Sequence, residues 1–281
     1  MNVSIIGLGL IGGSYGLSLK ERVKGLKVFG WDQDHLHQLA AEKLGLVDTG
    51  CASMEAAIKV ADWIILALPV NAIESNITII LEALGPNQLV IDFGSTKGEI
   101  CRAVEKHSKR DQFIAAHPIA GTEYSGPSAA FSTLFKDKVM IVCESEKTRP
   151  IFIEAFKNQC AVLGMSTTYM DALQHDNHLA YVSHLSHIIA FGLSTTVLQK
   201  EKTEINIFDL AGSGFDSTVR LAKSSPDMWT PIFIKNRSAI LESLDLYLEK
   251  LHDFRQLLND SDEQGINTYL ERGREIRKIL K

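Results

Sequence analysis

The stretch NVSIIGLGLIGGS (2–14) decides the fold, because it places the glycine pattern G-x-G-x-x-G directly after a run of apolar residues. A helix-like segment follows the glycines. A second apolar segment, KVFGWD (27–32), then ends in Asp32, twenty positions after the third glycine. This order of strand, glycine-rich turn, helix and acid-terminated strand predicts a dinucleotide-binding unit.

Each position of the pattern has a physical role in binding a dinucleotide. Gly7 permits the tight turn, Gly9 lets the backbone approach a pyrophosphate, and Gly12 lets the helix pack closely on the strand. The helix N-terminus offers unpaired N–H groups and a positive dipole end to the phosphates. Asp32 can accept hydrogen bonds from both ribose hydroxyls and would repel a 2′-phosphate, which favours NAD over NADP. The predicted NAD contacts in this unit are Gly7, Leu8, Gly9, Leu10, Ile11, Gly12 and Asp32.

The composition is typical of a soluble globular protein and argues against several other classes. The 281 residues are 45% hydrophobic and 22% charged, and the net charge of −5 does not suggest a nucleic-acid surface. No apolar run approaches the ~18 residues of a membrane span, and the N-terminus lacks the basic region of a signal peptide. The four cysteines form no C-x-x-C pair, so free thiols are expected. We therefore expect a cytoplasmic protein without nucleic-acid or membrane contacts.

Strand patterns alternate with helical patterns up to about residue 170. Most of the strands are continuous apolar runs, as strands buried on both faces should be. The alternation predicts an α/β fold with a doubly wound, mainly parallel Rossmann sheet. It places an NAD-binding domain at 1–170 and an all-α domain at 171–281. The predicted strands are 2–6, 27–32, 62–67, 89–93, 112–116, 138–144 and 165–170, and the helices between them include 34–44, 71–84, 97–110 and 148–163.

Only helical patterns follow residue 170. Residues 171–200 predict one long, largely buried helix, and a further helix is expected around 216–224. In 230–259, apolar residues spaced 4, 3, 4, 3 and 4 apart form a coiled-coil-like stripe. Two interpretations of the stripe stay open, a dimer contact and packing within the chain. The stripe consists of Ile240, Leu244, Tyr247, Leu251, Phe254 and Leu258.

Two predicted strand ends carry polar residues where such sheets bind ligands. Ser95 follows the strand 89–93, and His117 follows the strand 112–116. Histidine is the side chain whose ordinary pKa suits proton transfer near neutral pH. A dehydrogenase that oxidises an alcohol carbon needs such a group while the hydride leaves. A single histidine is more often structural, but this position favours a catalytic role.

The helical region adds four histidines. At ~100° per residue, His175 and His184 point to opposite sides of a straight helix, and so do His178 and His187. The four side chains cannot converge on one metal ion, so no metal site is expected. His184 and His187 share a face, which suggests a pair that lines a cleft.

Arg220 lies early in the helix predicted around 216–224, after the turn AGSGF (211–215). An arginine there could hold a carboxylate through two parallel hydrogen bonds. An ordinary surface ion pair explains the residue equally well on spacing alone.

Together these segments resemble the prephenate dehydrogenase family, which includes the arogenate dehydrogenases of tyrosine biosynthesis. The resemblance runs nearly end to end. Its most specific pieces are GLGLIGGS (7–14), DFGSTK (92–97), HPIAGTEYSGP (117–127), HDNHLAYVSHLSH (175–187) and the segment 211–229, which ends in KSSPDMW.

The resemblance implies an NAD-dependent oxidation of prephenate, in which hydride leaves C4, CO2 is lost and 4-hydroxyphenylpyruvate forms. It assigns removal of the hydroxyl proton to His117, orientation of that hydroxyl and of the nicotinamide to Ser95, and binding of the ring carboxylate to Arg220. It also implies a homodimer formed through the helical domain. The further substrate contacts that it implies are Thr122, Glu123, His184 and His187, and Leu68 and Pro69 should border the cofactor.

The chain departs from the family pattern at Ser186, where the family often has proline, so the long helix should be unkinked or bent elsewhere. No fused chorismate mutase or amino-acid-binding regulatory domain is expected, so any tyrosine feedback would act at the active site or the dimer interface. Three alternatives stay open. An arogenate dehydrogenase would favour a carboxylate near the substrate ammonium. A 3-hydroxyacid dehydrogenase of the 6-phosphogluconate type would need a lysine that 171–199 lacks, and an NAD-sensing protein need not keep the catalytic side chains.

Overall fold

The computed structural model describes residues 1–204 and 206–280, which form two compact units, Met1–Asn236 and a second that begins at Arg237. The first unit contains an eight-stranded sheet in the order β3-β2-β1-β4-β5-β6-β7-β8. Every neighbouring pair is parallel except β6 and β7. The predicted doubly wound, mainly parallel sheet is therefore confirmed. The strands are β1 (Asn2–Ile6), β2 (Lys27–Trp31), β3 (Thr49–Gly50), β4 (Trp63–Leu66), β5 (Leu89–Asp92), β6 (Phe113–Pro118), β7 (Val139–Cys143) and β8 (Ser166–Met170).

All seven predicted strands are present, and one further strand was missed. That strand is β3, which has two residues and no apolar run, so the pattern of hydrophobicity could not reveal it. Successive side chains of the central strands pack on opposite faces of the sheet. Ile65 belongs to one buried apolar layer and Ile64 to the other, which explains why these strands are continuously apolar.

The helices cover both faces of the sheet and continue through the rest of the chain. The predicted helix 97–110 is shorter than expected, because its regular part ends at Val104. The helices are α1 (Leu10–Arg22), α2 (His35–Lys43), α3 (Met54–Val60), α4 (Val70–Ala83), α5 (Gly98–Val104), α6 (Pro150–Val162), α7 (Ala172–Leu179), α8 (Leu185–Glu201), α9 (Ser213–Val219), α10 (Pro226–Lys235), α11 (Arg237–Asn259) and α12 (Glu263–Arg274).

The long helix predicted for 171–200 contains a π-helical turn at Ala180–His184, which joins α7 to α8. A π turn is wider than an α turn, so each of its residues advances by a smaller angle around the axis. The expectation that the helix is largely buried is wrong for its second half, because Ala190 is the one buried residue of α8. The side chains that follow it are half-buried or exposed.

The register of the sheet aligns the ends of three strands. Leu66 at the end of β4 pairs with Asp92 of β5, and Asp92 pairs with Ala115 of β6. The segments that follow these residues therefore emerge side by side at one edge of the sheet. This edge, together with the neighbouring turn after β1, is where ligands of such sheets bind.

The second unit consists of α11, α12 and a short 3₁₀ turn. Within it, the rings of Phe254 and Tyr269 lie 5.1 Å apart, so part of the apolar stripe of α11 packs against α12. Leu251 and Leu258, from the same stripe, are exposed. Intramolecular packing therefore explains only part of the stripe.

In the described part of the chain, no helix combines the length and the apolar character needed to cross a membrane.

Candidate active site

The turn between β1 and α1 has the close backbone packing that its glycines predict. Gly7 has a φ of 94°, a left-handed conformation that favours glycine. A side chain on Gly7 would collide with the carbonyl oxygen of Ala67, and one on Gly12 would overlap the carbonyl oxygen of Gly7. Both glycines are therefore required by close approach of the backbone.

Gly9 differs from the other two glycines because it faces open space. A Cβ atom built on Gly9 meets no atom within 4 Å. Gly9 also begins α1 without a side-chain cap, and the first turn of α1 has no acidic residue. Unpaired N–H groups and the positive end of the helix dipole therefore face a free volume, which fits the pyrophosphate of a dinucleotide.

The apolar residues of the turn contact the protein core. Leu8 and Leu10 are buried in the apolar layer on one face of the sheet, and Ile11 packs against it. Their predicted part in cofactor binding is consequently limited to their backbone groups and to the position of the turn.

Asp32 follows β2 and has a fixed carboxylate. Its oxygens accept hydrogen bonds from the backbone N–H groups of Leu8, at 2.7 Å, and Asp34, at 2.9 Å. The carboxylate is therefore tied to the glycine-rich turn. In this place it can accept hydrogen bonds from ribose hydroxyls and disfavour a 2′-phosphate.

Leu68 and Pro69 lie beside the same turn. A Cβ on Gly7 would be 3.0 Å from a methyl carbon of Leu68, and Pro69 is the residue before α4. Both residues are therefore next to the proposed cofactor volume.

His117 lies near the end of β6 and belongs to a chain of hydrogen-bonded side chains. Its Nδ1 atom is 2.9 Å from Nε2 of His175. The Nδ1 atom of His175 is in turn 2.8 Å from Oδ1 of Asp176. Ser95 is half-buried just beyond β5, the strand beside β6. The structure thus gives His117 the neighbourhood expected of a base, together with two partners that were not predicted.

The surroundings of His117 favour its neutral form. Burial lowers its pKa well below the ordinary value, and the nearby His175, Lys97 and His184 lower it further by charge repulsion. Burial likewise lowers the pKa of His184, to about 4. Neutral imidazole has a lone pair that can accept a proton, so His117 is ready to act as a base at neutral pH.

A buried ion pair, Lys97 with Asp92, lies beside the histidine cluster, which consists of His117, His175 and Asp176. The Nζ atom of Lys97 contacts Oδ2 of Asp92 and donates to the carbonyl oxygen of Ala116 at 2.9 Å. Both charged side chains are fully buried. Burial raises the pKa of Asp92, although Lys97 and the N–H of Gly94 oppose that rise. The pair joins the end of β5 to the residue before His117.

His184 lies in the same buried surroundings as His175. Both rings are buried, and Asn236 links their surroundings, because its Nδ2 atom donates to the carbonyl oxygen of Asp176 at 2.7 Å and lies 3.1 Å from Nδ1 of His184. The expected opposite directions of His175 and His184 assumed a regular α-helix between them, whereas the structure has the π turn Ala180–His184 there. The π turn between them changes the angle at which His184 leaves the helix.

His187 stacks on Trp229, with ring centroids 3.5 Å apart. The Nδ1–H group of His187 donates to the carbonyl oxygen of Ser183 at 3.0 Å, which leaves Nε2 for another partner. The indole Nε1 of Trp229 is buried and has no hydrogen-bond partner in the described chain. The ring stack fixes the orientation of His187 at a place beside the histidine cluster.

Arg220 forms an ion pair with Glu123 at 2.9 Å, in which about half of the arginine side chain, 48%, remains exposed. Thr122 precedes this glutamate, and its hydroxyl accepts a hydrogen bond from the N–H of Tyr124. The ion pair connects the loop after β6 to the segment after α9. Glu123 therefore orients a guanidinium group that is partly open to a ligand.

Sequence reasoning missed Lys97, His175 and Asp176 as members of this site. Lys97 stood in the pattern DFGSTK (92–97), and a lysine in the short segment after a buried strand was an available signal. Among residues 1–204 and 206–280, no group of three or more His, Cys, Asp or Glu side chains is placed to hold a metal ion.

The sheet order, the glycine-rich turn after β1 and the histidine near the end of β6 together define an oxidoreductase of the Rossmann class. Residues 15–167 match the family model described as prephenate dehydrogenase, nucleotide-binding domain, and residues 171–272 match the one described as prephenate dehydrogenase, dimerization domain. The chain belongs to the prephenate dehydrogenase family.

Individual relatives agree with this assignment. The prephenate dehydrogenase of Bacillus subtilis is 30% identical over 99% of this chain and 76% of its own length. The cyclohexadienyl dehydrogenase of Zymomonas mobilis is 30% identical over 100% of this chain and 96% of its own length. A crystal structure of prephenate dehydrogenase from Aquifex aeolicus, in complex with hydroxyphenyl propionate and NAD+, is 29% identical, with a TM-score of 0.92 over 100% of this chain and 98% of that one.

Proposed function

We propose that this chain is an NAD-dependent prephenate dehydrogenase, which converts prephenate to 4-hydroxyphenylpyruvate and CO2. The observation that carries the proposal is the place of His117, near the end of β6 and 2.9 Å from His175, where burial holds its pKa well below the ordinary value. The family assignment and the Aquifex complex with NAD+ support the same reaction. When NAD+ is bound, it supplies the acceptor for the hydride that leaves C4.

The residues of the cluster supply proton control. His117 takes the proton of the 4-hydroxyl as the hydride leaves, and the same oxygen receives a proton again when loss of CO2 makes the ring aromatic. Ser95 orients the hydroxyl and the nicotinamide through its own hydroxyl. The drive toward aromaticity favours the products, so the enzyme contributes mainly alignment and charge control.

The substrate carboxylates have candidate partners on the other side of the cluster. Arg220 holds the ring carboxylate until it departs, and Glu123 positions the guanidinium group through the ion pair at 2.9 Å. His187 faces the pyruvyl side chain, with its ring held against Trp229. Thr122 and His184 complete the lining of the proposed substrate site.

The glycine-rich turn supplies the cofactor site. The open space at Gly9 and the uncapped start of α1 receive the pyrophosphate, and Asp32 selects NAD over NADP by its charge. Backbone groups from Leu8 to Ile11 contribute there, and Leu68 and Pro69 border the nicotinamide side.

We also propose that residues 1–170 form the NAD-binding domain and that residues 171–281 form the helical domain for substrate binding and dimerisation. The two matching family models meet between residues 167 and 171. The second is described as a dimerization domain, and the exposed leucines of α11 would suit a second copy of the chain. We therefore infer a homodimer formed through the helical part, working in the cytoplasm, where its free cysteines would stay reduced.

The test combines two substrates with two cofactors. The purified chain is given prephenate or arogenate with NAD+ or NADP+, and the absorbance of the reduced nicotinamide is followed. The highest kcat/KM is expected for prephenate with NAD+. A higher value for arogenate would favour the second candidate, which the cyclohexadienyl dehydrogenase relative supports. No reduction of either cofactor with either substrate would refute the proposal.

A further inference from the structure

The side chains of His117, His175 and Asp176 form a line of three groups joined by two hydrogen bonds. The first joins Nδ1 of His117 to Nε2 of His175 at 2.9 Å, and the second joins Nδ1 of His175 to Oδ1 of Asp176 at 2.8 Å. His175 has no exposed surface, and Asp176 has 6%. Water therefore has little access to the inner two members of the line.

Asp176 is held as a carboxylate. Its two oxygens accept hydrogen bonds from the backbone N–H groups of Lys97 and Gly98, each at 2.8 Å. Burial would raise its pKa, but the hydrogen bond from His175 and those from these two N–H groups outweigh burial and lower it. An ionised carboxylate can only accept hydrogen bonds.

The charge of Asp176 determines which nitrogen of each ring carries a proton. Because Asp176 only accepts, Nδ1 of His175 must be the donor. Burial lowers the pKa of His175, so its ring is neutral and its Nε2 atom has a lone pair. That lone pair requires a donor at Nδ1 of His117. The remaining nitrogen of His117, Nε2, is then unprotonated and able to accept a proton.

We propose that Asp176 and His175 are positioning residues that act on the substrate through His117. They hold the tautomer in which Nε2 of His117 is the base, and they stabilise the proton that it takes. This inference rests on the proposed function, because it needs His117 to take the proton of the substrate hydroxyl.

The proton balance of the step is simple. The O–H bond of the substrate breaks and an N–H bond forms at Nε2 of His117. The positive charge is then shared with His175, since the Nδ1 proton of His117 can move to Nε2 of His175, next to the carboxylate of Asp176. The histidine pair gains one proton in total. The proton returns by the same route when the product hydroxyl forms.

Other charged and titratable groups face the line, and none replaces Asp176 in contact with His175. Lys97 and Asp92 lie beside it as a buried ion pair. His184 is buried near His117 with its pKa lowered to about 4, so it stays neutral. On β7, burial raises the pKa of the Cys143 thiol to about 12. Asp176 is therefore the negative charge that can balance a proton on the pair.

A purely structural role is the alternative. Asp176 belongs to α7, but its carboxylate lies at the start of α5, and the hydrogen bonds from Lys97 and Gly98 alone would make it useful as a cap of that helix. A cap affects folding stability alone. The proposed relay, in which His175 and Asp176 stabilise the proton taken by His117, also affects the pH at which the enzyme loses activity. The pH profile of kcat/KM therefore separates the two roles.

The experiment compares Asp176→Asn and His175→Phe with the wild-type enzyme, using prephenate and NAD+. The asparagine keeps an oxygen for His175 but removes the charge, so the protonated pair loses stability and its apparent pKa falls. The acid limb of the kcat/KM profile should then move to lower pH by about one unit, and kcat/KM at neutral pH should fall about 10- to 100-fold. The phenyl ring of His175→Phe fills the space but accepts no proton, and it should lower kcat by about 10²- to 10⁴-fold.

Controls keep the result interpretable. His178, one turn away from His175, is exposed, and His178→Phe should leave kcat within about twofold of wild type. The dissociation constant for NAD+ and the melting temperature report folding of each variant. If Asp176→Asn or His175→Phe does not fold, His175→Gln replaces it, because the amide oxygen can accept from His117 without contacting Asp176. His175→Gln should show the same shift of the acid limb to lower pH.

Folded variants with kcat/KM within about threefold of wild type and an unmoved acid limb would overturn the relay while leaving the proposed function intact. Absence of prephenate oxidation by the wild-type enzyme would overturn the proposed function, and the relay with it.

Discussion

The glycine-rich turn and the histidine cluster adjoin the same edge of the sheet, but the turn offers backbone groups and the cluster offers side chains. The turn is formed by backbone, and its middle glycine, Gly9, faces open space. The cluster is formed by polar side chains from β6, from α7 and from Lys97 just before α5, which are buried or half-buried and joined by hydrogen bonds. The turn therefore binds through groups that nearly every residue possesses, whereas the cluster depends on particular side chains.

This difference determines which kind of substitution disrupts each region. Changes in the turn act through shape, because an added side chain either collides with backbone or occupies the space of a ligand. Changes in the cluster act through charge and protonation, because each member sets the state of its neighbour. Four tests by substitution examine that distinction.

Replacing His117 with asparagine should have the largest effect on activity. The amide can still donate a hydrogen bond to His175, but it cannot take a proton from the substrate. We expect kcat to fall about 10²- to 10⁴-fold, with the dissociation constant for NAD+ nearly unchanged. Steady-state kinetics and a fluorescence titration with NAD+ would measure the two quantities. His178→Asn is the matched control, and a loss of less than tenfold for His117→Asn would contradict the assignment.

Replacing Lys97 with methionine should have the largest effect on stability. Methionine has a similar length but leaves the carboxylate of Asp92 buried without its cation, and breaking a buried ion pair in this way costs about 3–5 kcal/mol. Urea unfolding would measure the change in the free energy of unfolding. The double variant Lys97→Met/Asp92→Asn removes both charges and should recover part of that loss. A double variant no more stable than the single one would show that the charge of Asp92 is not the cause.

The two regions also differ in how far the sequence predicts them. The turn was predicted residue by residue, because its physical requirements are local: a left-handed φ at Gly7, close packing at Gly12 and an acid at the end of β2. The same holds for the strands β1, β4, β5, β6 and β7, whose apolar runs reflect burial on both faces.

The cluster was predicted only at the positions that follow strands. Ser95 and His117 were recognised, but Asp176 was not, because its partners His175, Lys97 and Gly98 belong to two separate parts of the chain. The prediction of one continuous α-helix over 171–200 failed for a different reason. A straight α-helix was assumed, and no local pattern revealed the π turn that changes its direction.

The third test compares two glycines of the turn. Gly9→Ala should fold normally, because its Cβ meets no atom within 4 Å, but the methyl group should intrude where the phosphates bind. We expect the KM for NAD+ to rise about 10- to 100-fold with an unchanged melting temperature. In Gly12→Ala, the methyl group overlaps backbone, so stability itself should fall by about 1–3 kcal/mol. Equal losses of stability in the two variants would contradict the distinction between space for a ligand and space for the fold.

The smallest effect is expected at Asp32, where the turn uses a side chain and so behaves like the cluster. Asp32→Asn keeps an oxygen for the N–H of Leu8 or Asp34 but removes the charge that repels a 2′-phosphate. The preference for NAD+ over NADP+, expressed as a ratio of kcat/KM values, should narrow about tenfold, which corresponds to ~1.4 kcal/mol. Asp34→Asn is the control, because the carboxylate of Asp34 accepts from the N–H of Leu36 and not from the glycine-rich turn. The ratio of kcat/KM values for NAD+ and NADP+ in this variant should stay close to that of wild type. Equal narrowing in both variants would mean that general charge near the turn, rather than the fixed carboxylate of Asp32, sets the preference.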